Sequence, residues 1–220
     1  MCGNGSRCIA KFVYDKGLTQ KNPITLETLS GIKTIAMDVA DGKVVSATVD
    51  MGVPITDPSS IPMTWEKSIC LDETITVTVD GAPLSLRGTG VSMGNPHFVT
   101  FVEDVATAPV EKVGRVIEHS SYFPERVNVE FVEIVDDNHV KFRVWERGSG
   151  ETLACGTGAC AVAYTAITLG KAGRRDQFLT VEAVGGPLQL NYRSDGHMMM
   201  KGPAVTVYEG EMEIPDNILK

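Results

Sequence analysis

Short runs rich in β-branched residues, many of them alternating with polar positions, recur along the chain at 24–29, 33–39, 44–49, 74–79, 83–87, 98–101, 128–135 and 140–144. Such runs predict half-buried strands. Asp41-Gly42, Asp80-Gly81 and Asp195-Gly196 punctuate the pattern as hairpin turns, so the sheets are expected to be largely antiparallel. Helical spacing is rarer. Residues 6–16 carry Ile9, Phe12 and Val13 on one face and stop before Gly17, and 159–169 are apolar nearly all round and stop at Gly170. A helix without a polar face belongs in a core. Residues 108–118 read as a third, amphipathic helix lying on a surface. The simplest architecture is an α+β fold in which a mostly antiparallel sheet wraps one buried helix, twice over.

"Twice over" follows from an internal repeat. Cys2-Gly3-Asn4-Gly5-Ser6-Arg7-Cys8 and Cys155-Gly156-Thr157-Gly158-Ala159-Cys160 each run into a helical stretch. Ile24-Thr25-Leu26-Glu27 is then answered by Leu179-Thr180-Val181-Glu182, Asp41-Gly42 by Asp195-Gly196, and Met51-Gly52-Val53-Pro54 by Met200-Lys201-Gly202-Pro203. Four matched features in one order predict two pseudo-symmetric domains facing each other across a cleft. By the same symmetry, a segment comparable to 55–154 is expected upstream of the first cysteine turn.

Composition narrows the chemistry. A 220-residue chain with 43% hydrophobic residues buries a real core. A net charge of −8 without a Lys/Arg stripe is the wrong footprint for nucleic acid. No run reaches the about 18 apolar residues of a membrane span. Five cysteines without a disulfide framework suit a reducing compartment, so cytoplasm is expected.

The two cysteine-glycine turns are the candidate chemistry. A cysteine where a turn becomes a helix lies beside unpaired N–H groups and the positive end of the dipole, which favour a thiolate and attract anions. The flanking glycines let backbone approach a ligand and adopt positive φ. Neither turn has the close cysteine pair of a zinc site, and no metal is expected. Cys8, Cys70 and Cys160 read as small buried hydrophobes. Two opposed cysteines suit inversion of a stereocentre, one removing an α-proton while the other delivers a proton to the opposite face. Without a cofactor the carbanion must be met by preorganised donors in a dry site, and helix N-terminal amides are placed to hold its carboxylate. Facing cysteines would also join as a disulfide under oxidation, an inactive form.

The two turns, together with Glu146-Arg147-Gly148-Ser149-Gly150-Glu151-Thr152-Leu153-Ala154, Ser92-Met93-Gly94-Asn95-Pro96-His97, Phe123-Pro124-Glu125-Arg126-Val127-Asn128 and Gly202-Pro203-Ala204, closely resemble the diaminopimelate epimerase family across essentially the whole chain. The resemblance implies a cofactor-independent enzyme interconverting LL- and meso-2,6-diaminoheptanedioate for lysine and peptidoglycan-precursor synthesis. It implies Cys2 and Cys155 as the acid–base pair, with His97 and Glu146 tuning them. Asn95, Asn128, Glu146 and Arg147 would hold substrate, the first two and Arg147 at its distal end, and Gly3, Asn4, Gly156 and Thr157 the reacting carboxylate. Arg147 offers a planar fork suited to a second carboxylate. The family's organisation implies an N-terminal domain formed by 1–54 and completed by 204–220, with 205–208 as its returning strand, and a C-terminal domain over 55–203. The expected partners are the amino-acid substrate and, at most, a second copy of the chain.

The chain departs from the family in starting at the first cysteine turn, without the strands that precede it in other members. Helix 6–16 would then lose much of its wrapping and expose apolar surface. Two other readings remain. A proline racemase or hydroxyproline epimerase shares the two-cysteine plan but typically carries histidine where Asn4 stands and lacks the Glu146-Arg147 context. A binding remnant without activity would not need both cysteines.

Overall fold

The computed structural model describes residues 2–213. The chain begins with helix α1 (Gly3–Asp15), followed by strands β1 (Ile24–Thr28), β2 (Gly31–Ala40) and β3 (Lys43–Asp50), which form an antiparallel meander. Next come β4 (Glu73–Val79), β5 (Ala82–Ser92), β6 (Pro96–Phe101), helix α2 (Val110–Glu118), β7 (Asn128–Asp136), β8 (His139–Glu146) and the short β9 (Gly150–Thr152). Helix α3 (Gly156–Thr168) then leads into a second meander, β10 (Phe178–Ala183), β11 (Gly186–Tyr192) and β12 (Met198–Pro203). The sequence repeat is therefore a structural one, a helix followed by three antiparallel strands.

Hydrogen bonding links the strands in the order β1-β2-β3-β12-β11-β10-β8-β7-β6-β5-β4, with β9 on β8. All neighbours are antiparallel except β6/β7 and β8/β10. Asp41-Gly42 and Asp80-Gly81 make the expected hairpins, each pair holding both residues at positive φ (50° and 71°, 50° and 80°). That geometry matches the right-handed twist of the strands it joins. The third strands of the two repeats, β3 and β12, pair antiparallel with Val49 opposite Met200 and Ala47 opposite Gly202, so the repeats meet along a shared seam.

The middle of the sheet separates two cores because successive side chains point to opposite faces. Val99, Val132, Val140, Phe142 and Val144 face α3, whose residues from Gly158 to Thr165 are all buried. This is the apolar-all-round helix, and the middle of the sheet, from β12 to β5, wraps it. Phe98, Val129 and Phe131 face the other way with Val113 and Ile117 of amphipathic α2. Burying each of these side chains stabilises the fold by roughly 1.5–3 kcal/mol.

Three expectations change. Both cysteine helices start earlier than 6 and 159, because the glycines are inside the first helical turn rather than in a preceding one. Helix α1 exposes apolar surface at Ile9 and Phe12, 43% and 56%, as expected, but it also buries Arg7, whose Nε donates to the Pro203 carbonyl (3.3 Å). Residues 205–208 form no strand. Residues 204–213 have no regular structure, since Pro203 closes the β3/β12 ladder at Ser46 and leaves Val205, Val207 and Tyr208 exposed. The rest of the expected 204–220 segment, from 214 on, lies outside the described residues.

Candidate active site

Cys2 and Cys155 hold the same local position. Each has extended backbone (φ −106°, ψ 106° and φ −126°, ψ 112°), each is the N-cap of its helix, and each Sγ accepts from the amide three residues on, Gly5 or Gly158, at 3.4 Å. A thiol sulfur thus takes the place usually given to a Ser or Asp oxygen. The amides before these in each first turn, those of Gly3 and Asn4 and of Gly156 and Thr157, have no carbonyl one turn back in the helix to donate to.

The two caps meet around one side chain. A Cβ on Gly3 would overlap Met200 Cε and stand 3.2 Å from Met51 Cε and Sδ. A Cβ on Gly156 would stand 3.4 Å from Met200 Sδ and 3.5 Å from Asn4 Oδ1. None of Gly3, Gly5, Gly156 or Gly158 has positive φ, so their expected conformational role is corrected, at Gly3 and Gly158 to one of space. Gly3, Asn4, Gly156 and Thr157 are in this way brought together. The cysteines differ in setting: Cys2 is exposed, whereas Cys155 is 7% exposed.

A polar wall lies beside the Cys155 cap. His97 on β6 pairs in register with Asn128 on β7, Glu130 lies two residues along the same face of β7, and Glu146 lies two residues beyond Val144, the partner of Glu130 on β8. His97 Nδ1 and Glu130 Oε1 are 2.6 Å apart and neither residue has any exposure, while His97 Nε2 meets Asn95 Oδ1 at 3.2 Å. Asn128 has both side-chain atoms engaged by backbone: its Nδ2 donates to the Pro96 carbonyl (2.8 Å), and its Oδ1 accepts from the Arg147 amide (2.9 Å). Glu146 accepts from the Thr152 hydroxyl. Arg147 is exposed, with its guanidinium on the Glu125 carbonyl at 3.2 Å.

Glu130 escaped the sequence reading. Its Oε1 would lie 2.8 Å from a Cβ on Gly158, so only glycine fits the first turn of α3 there. Its Oε2 is buried and has no hydrogen-bond partner. The signal was present: Asn128 and Glu130, two apart in a strand, share a face.

Electrostatics revise the thiolate expected at the Cys155 cap. Burial, then the nearby Glu130 and Glu146 carboxylates, push the Cys155 thiol up to about 12, outweighing the Thr157 hydroxyl and the Gly158 amide, which act the other way. The helix terminus therefore does not make Cys155 a thiolate at neutral pH. Burial also raises the Glu130 carboxyl; His97 opposes the shift and Glu146 adds to it.

The cysteines beyond the caps divide. Cys70 and Cys160 are buried as expected, but Cys8 is exposed, on the side of α1 that faces residues 204–211 across a groove. All five are free thiols. Among the described residues no group of three or more His, Cys, Asp or Glu is gathered as a metal site, and no helix is long and apolar enough to cross a membrane.

Comparison with known proteins places this geometry. The family model described as diaminopimelate epimerase matches residues 1–56 and 89–207. The diaminopimelate epimerase of Methanococcus maripaludis (strain C5) is 50% identical over 215 residues, covering 97% of this chain and 75% of that protein. That of Acetivibrio thermocellus is 47% identical over 215 residues, covering 97% and 74%. A solved structure of a probable proline racemase from Agrobacterium radiobacter K84 shares the fold with a TM-score of 0.73 at 15% identity, covering 98% of this chain and 68% of that one. Family model, relatives and fold agree: the chain is an epimerase and belongs to the diaminopimelate epimerase family.

Proposed function

We propose that the chain interconverts LL- and meso-2,6-diaminoheptanedioate, in the cytoplasmic synthesis of lysine and peptidoglycan precursors, with Cys2 and Cys155 as the acid–base pair. One observation carries the reading: two cysteines cap two helices in the same way, and the two caps pack on the same methionine with Asn4 against Gly156. The caps belong to the two proposed units, 1–54 with 204–220, and 55–203. A substrate α-carboxylate between them would receive the open amides of Gly3, Asn4, Gly156 and Thr157.

The setting of Cys155 assigns the first roles. Burial keeps Cys155 protonated, so it enters as the proton donor, and Cys2 takes the α-proton. The C–H pair of electrons becomes the carbanion lone pair, delocalised into the carboxylate, and then takes the Cys155 proton on the opposite face. Configuration inverts, and the two sulfurs have exchanged protonation states, so the reverse direction needs no other base. His97 and Glu146 flank the Cys155 side. Asn95 and Arg147 would meet the distal amino-acid head, while Asn128 would act there by fixing the Arg147 backbone as well as by its remaining N–H.

The test is α-deuterium incorporation from heavy water into LL-diaminopimelate, with Cys2→Ser and Cys155→Ser alongside. Exchange by the chain and its loss in each variant is expected. Exchange persisting at the parental rate in both variants would exclude the two-cysteine mechanism.

A further inference from the structure

Glu130 is the fully buried charge-bearing residue that the proton transfer above does not use. It stands between two groups that the transfer does use: its Oε1 is 2.6 Å from His97 Nδ1, and the same oxygen packs against Gly158, whose amide donates to Cys155 Sγ. Building a carboxyl with one unpaired oxygen into a core is costly, and such a group is retained where its position matters. We propose that Glu130 is a positioning residue of this site, holding the His97 ring between Asn95 and the first turn of α3 and tying that ring to the Cys155 cap.

The hydrogen-bond pattern defines the arrangement. Asn95 presents Oδ1 to His97 Nε2, so Nε2–H is the donor there, and a single proton is shared between Nδ1 and Glu130 Oε1. Oε1 occupies space that any side chain at Gly158 would fill. The titratable and charged groups around the pair are Glu146 from β8 and Cys155 at the start of α3, with Cys160 one turn further in and Arg7 of α1 beyond it. Of the two carboxyls acting on Cys155, Glu130 acts more strongly. Removing its charge therefore makes Cys155 the easier thiol to ionise.

The inference rests on the acid–base reading of Cys155, and its tests separate the two. In the full chain, Glu130→Gln should lower the midpoint for alkylation of Cys155 by about one pH unit or more, so that at pH 9 the peptide bearing Cys155 is modified roughly tenfold faster. The kcat for α-deuterium exchange should fall with KM nearly unchanged, and Glu130→Asp should restore part of it. An unchanged alkylation profile in folded Glu130→Gln would overturn the coupling. Nitrogen-15 spectra of the unsubstituted protein give a check that needs no variant: His97 Nε2 should carry a hydrogen, and a bare Nε2 would overturn the arrangement. Neither alkylation nor spectra require turnover, so an absence of exchange by the parental chain would sink the proposed function without touching this result.

Discussion

Asn128→Ala separates a residue that binds substrate from one that builds the place where substrate binds. Asn128 is 3% exposed, its Nδ2 satisfies the Pro96 carbonyl at 2.8 Å, and its Oδ1 satisfies the Arg147 amide at 2.9 Å. Truncation leaves both backbone groups without a partner. A buried group stripped of its hydrogen bond costs about 1–3 kcal/mol, and the Arg147 amide, being less deeply placed, falls toward the lower end. A total loss of about 2–4 kcal/mol is expected, or on the order of 10 °C in Tm for a chain of this size. Urea unfolding followed by circular dichroism measures it, alongside kcat and KM for α-proton exchange. Both kinetic constants should worsen, because the turn carrying Arg147 loses its anchor. Asn128→Asp keeps the acceptor for Arg147 but sets a carboxylate oxygen against the Pro96 carbonyl, so its stability relative to the parent should improve as the pH falls and the carboxyl takes a proton. A stability of Asn128→Ala within about 0.5 kcal/mol of the parent, with KM alone raised, would refute the reasoning and leave Asn128 as a plain substrate ligand.

Two further outcomes follow from burial. The Cys155 thiol lies near 12 in the folded chain against a reference of 9.0, so its contribution to stability is fully present below about pH 9 and is lost as pH rises toward 12. Between pH 8 and pH 10 this amounts to on the order of 1 kcal/mol, and Cys155→Ala should lack that part of the slope in urea midpoints; equal slopes would contradict it. Glu118, 2% exposed, accepts from Trp145 Nε1 (2.7 Å) and from the Gly148 amide (2.9 Å). Glu118→Ala should cost roughly 3 kcal/mol in denaturant unfolding and speed hydrogen exchange at Gly148, with Glu118→Gln milder; an unaltered Gly148 rate would show that the turn is held otherwise.

Much of this was legible because local signals agreed with tertiary ones. Asp41-Gly42 and Asp80-Gly81 dictate hairpins whatever surrounds them, and an apolar stretch such as Ala161-Val162-Ala163 admits only a buried helix. The order of matched features revealed the repeat, and the resemblance supplied the pair Cys2 and Cys155. What stayed hidden depends on where chains meet. The glycines suggested turns by composition, yet Gly3 and Gly158 serve as space for Met200 and Glu130, which are 197 and 28 residues away from them in sequence. The raised Cys155 thiol could not be read because a helix terminus is a local feature, while the burial that overrides it is assembled from distant strands. The open apolar face of α1 was expected, but Cys8 was read as buried and is exposed beside it.

Glycine at four positions of two opening helical turns has an energetic consequence. Each is roughly 0.5–1 kcal/mol poorer than alanine in a helix, so each opening turn is intrinsically about 1–2 kcal/mol weaker than its length alone would give. These turns hold their shape through neighbours rather than through their own backbone. For α3 those neighbours are Met200, Glu130 and the closely packed sheet, whereas α1 leans on Met51 and Met200 with its cap open to water. Fraying should accordingly start at Cys2 and reach Cys155 last. The two ends of the proposed proton path would then differ in persistence as well as in burial, one open to solvent and one kept apart from it.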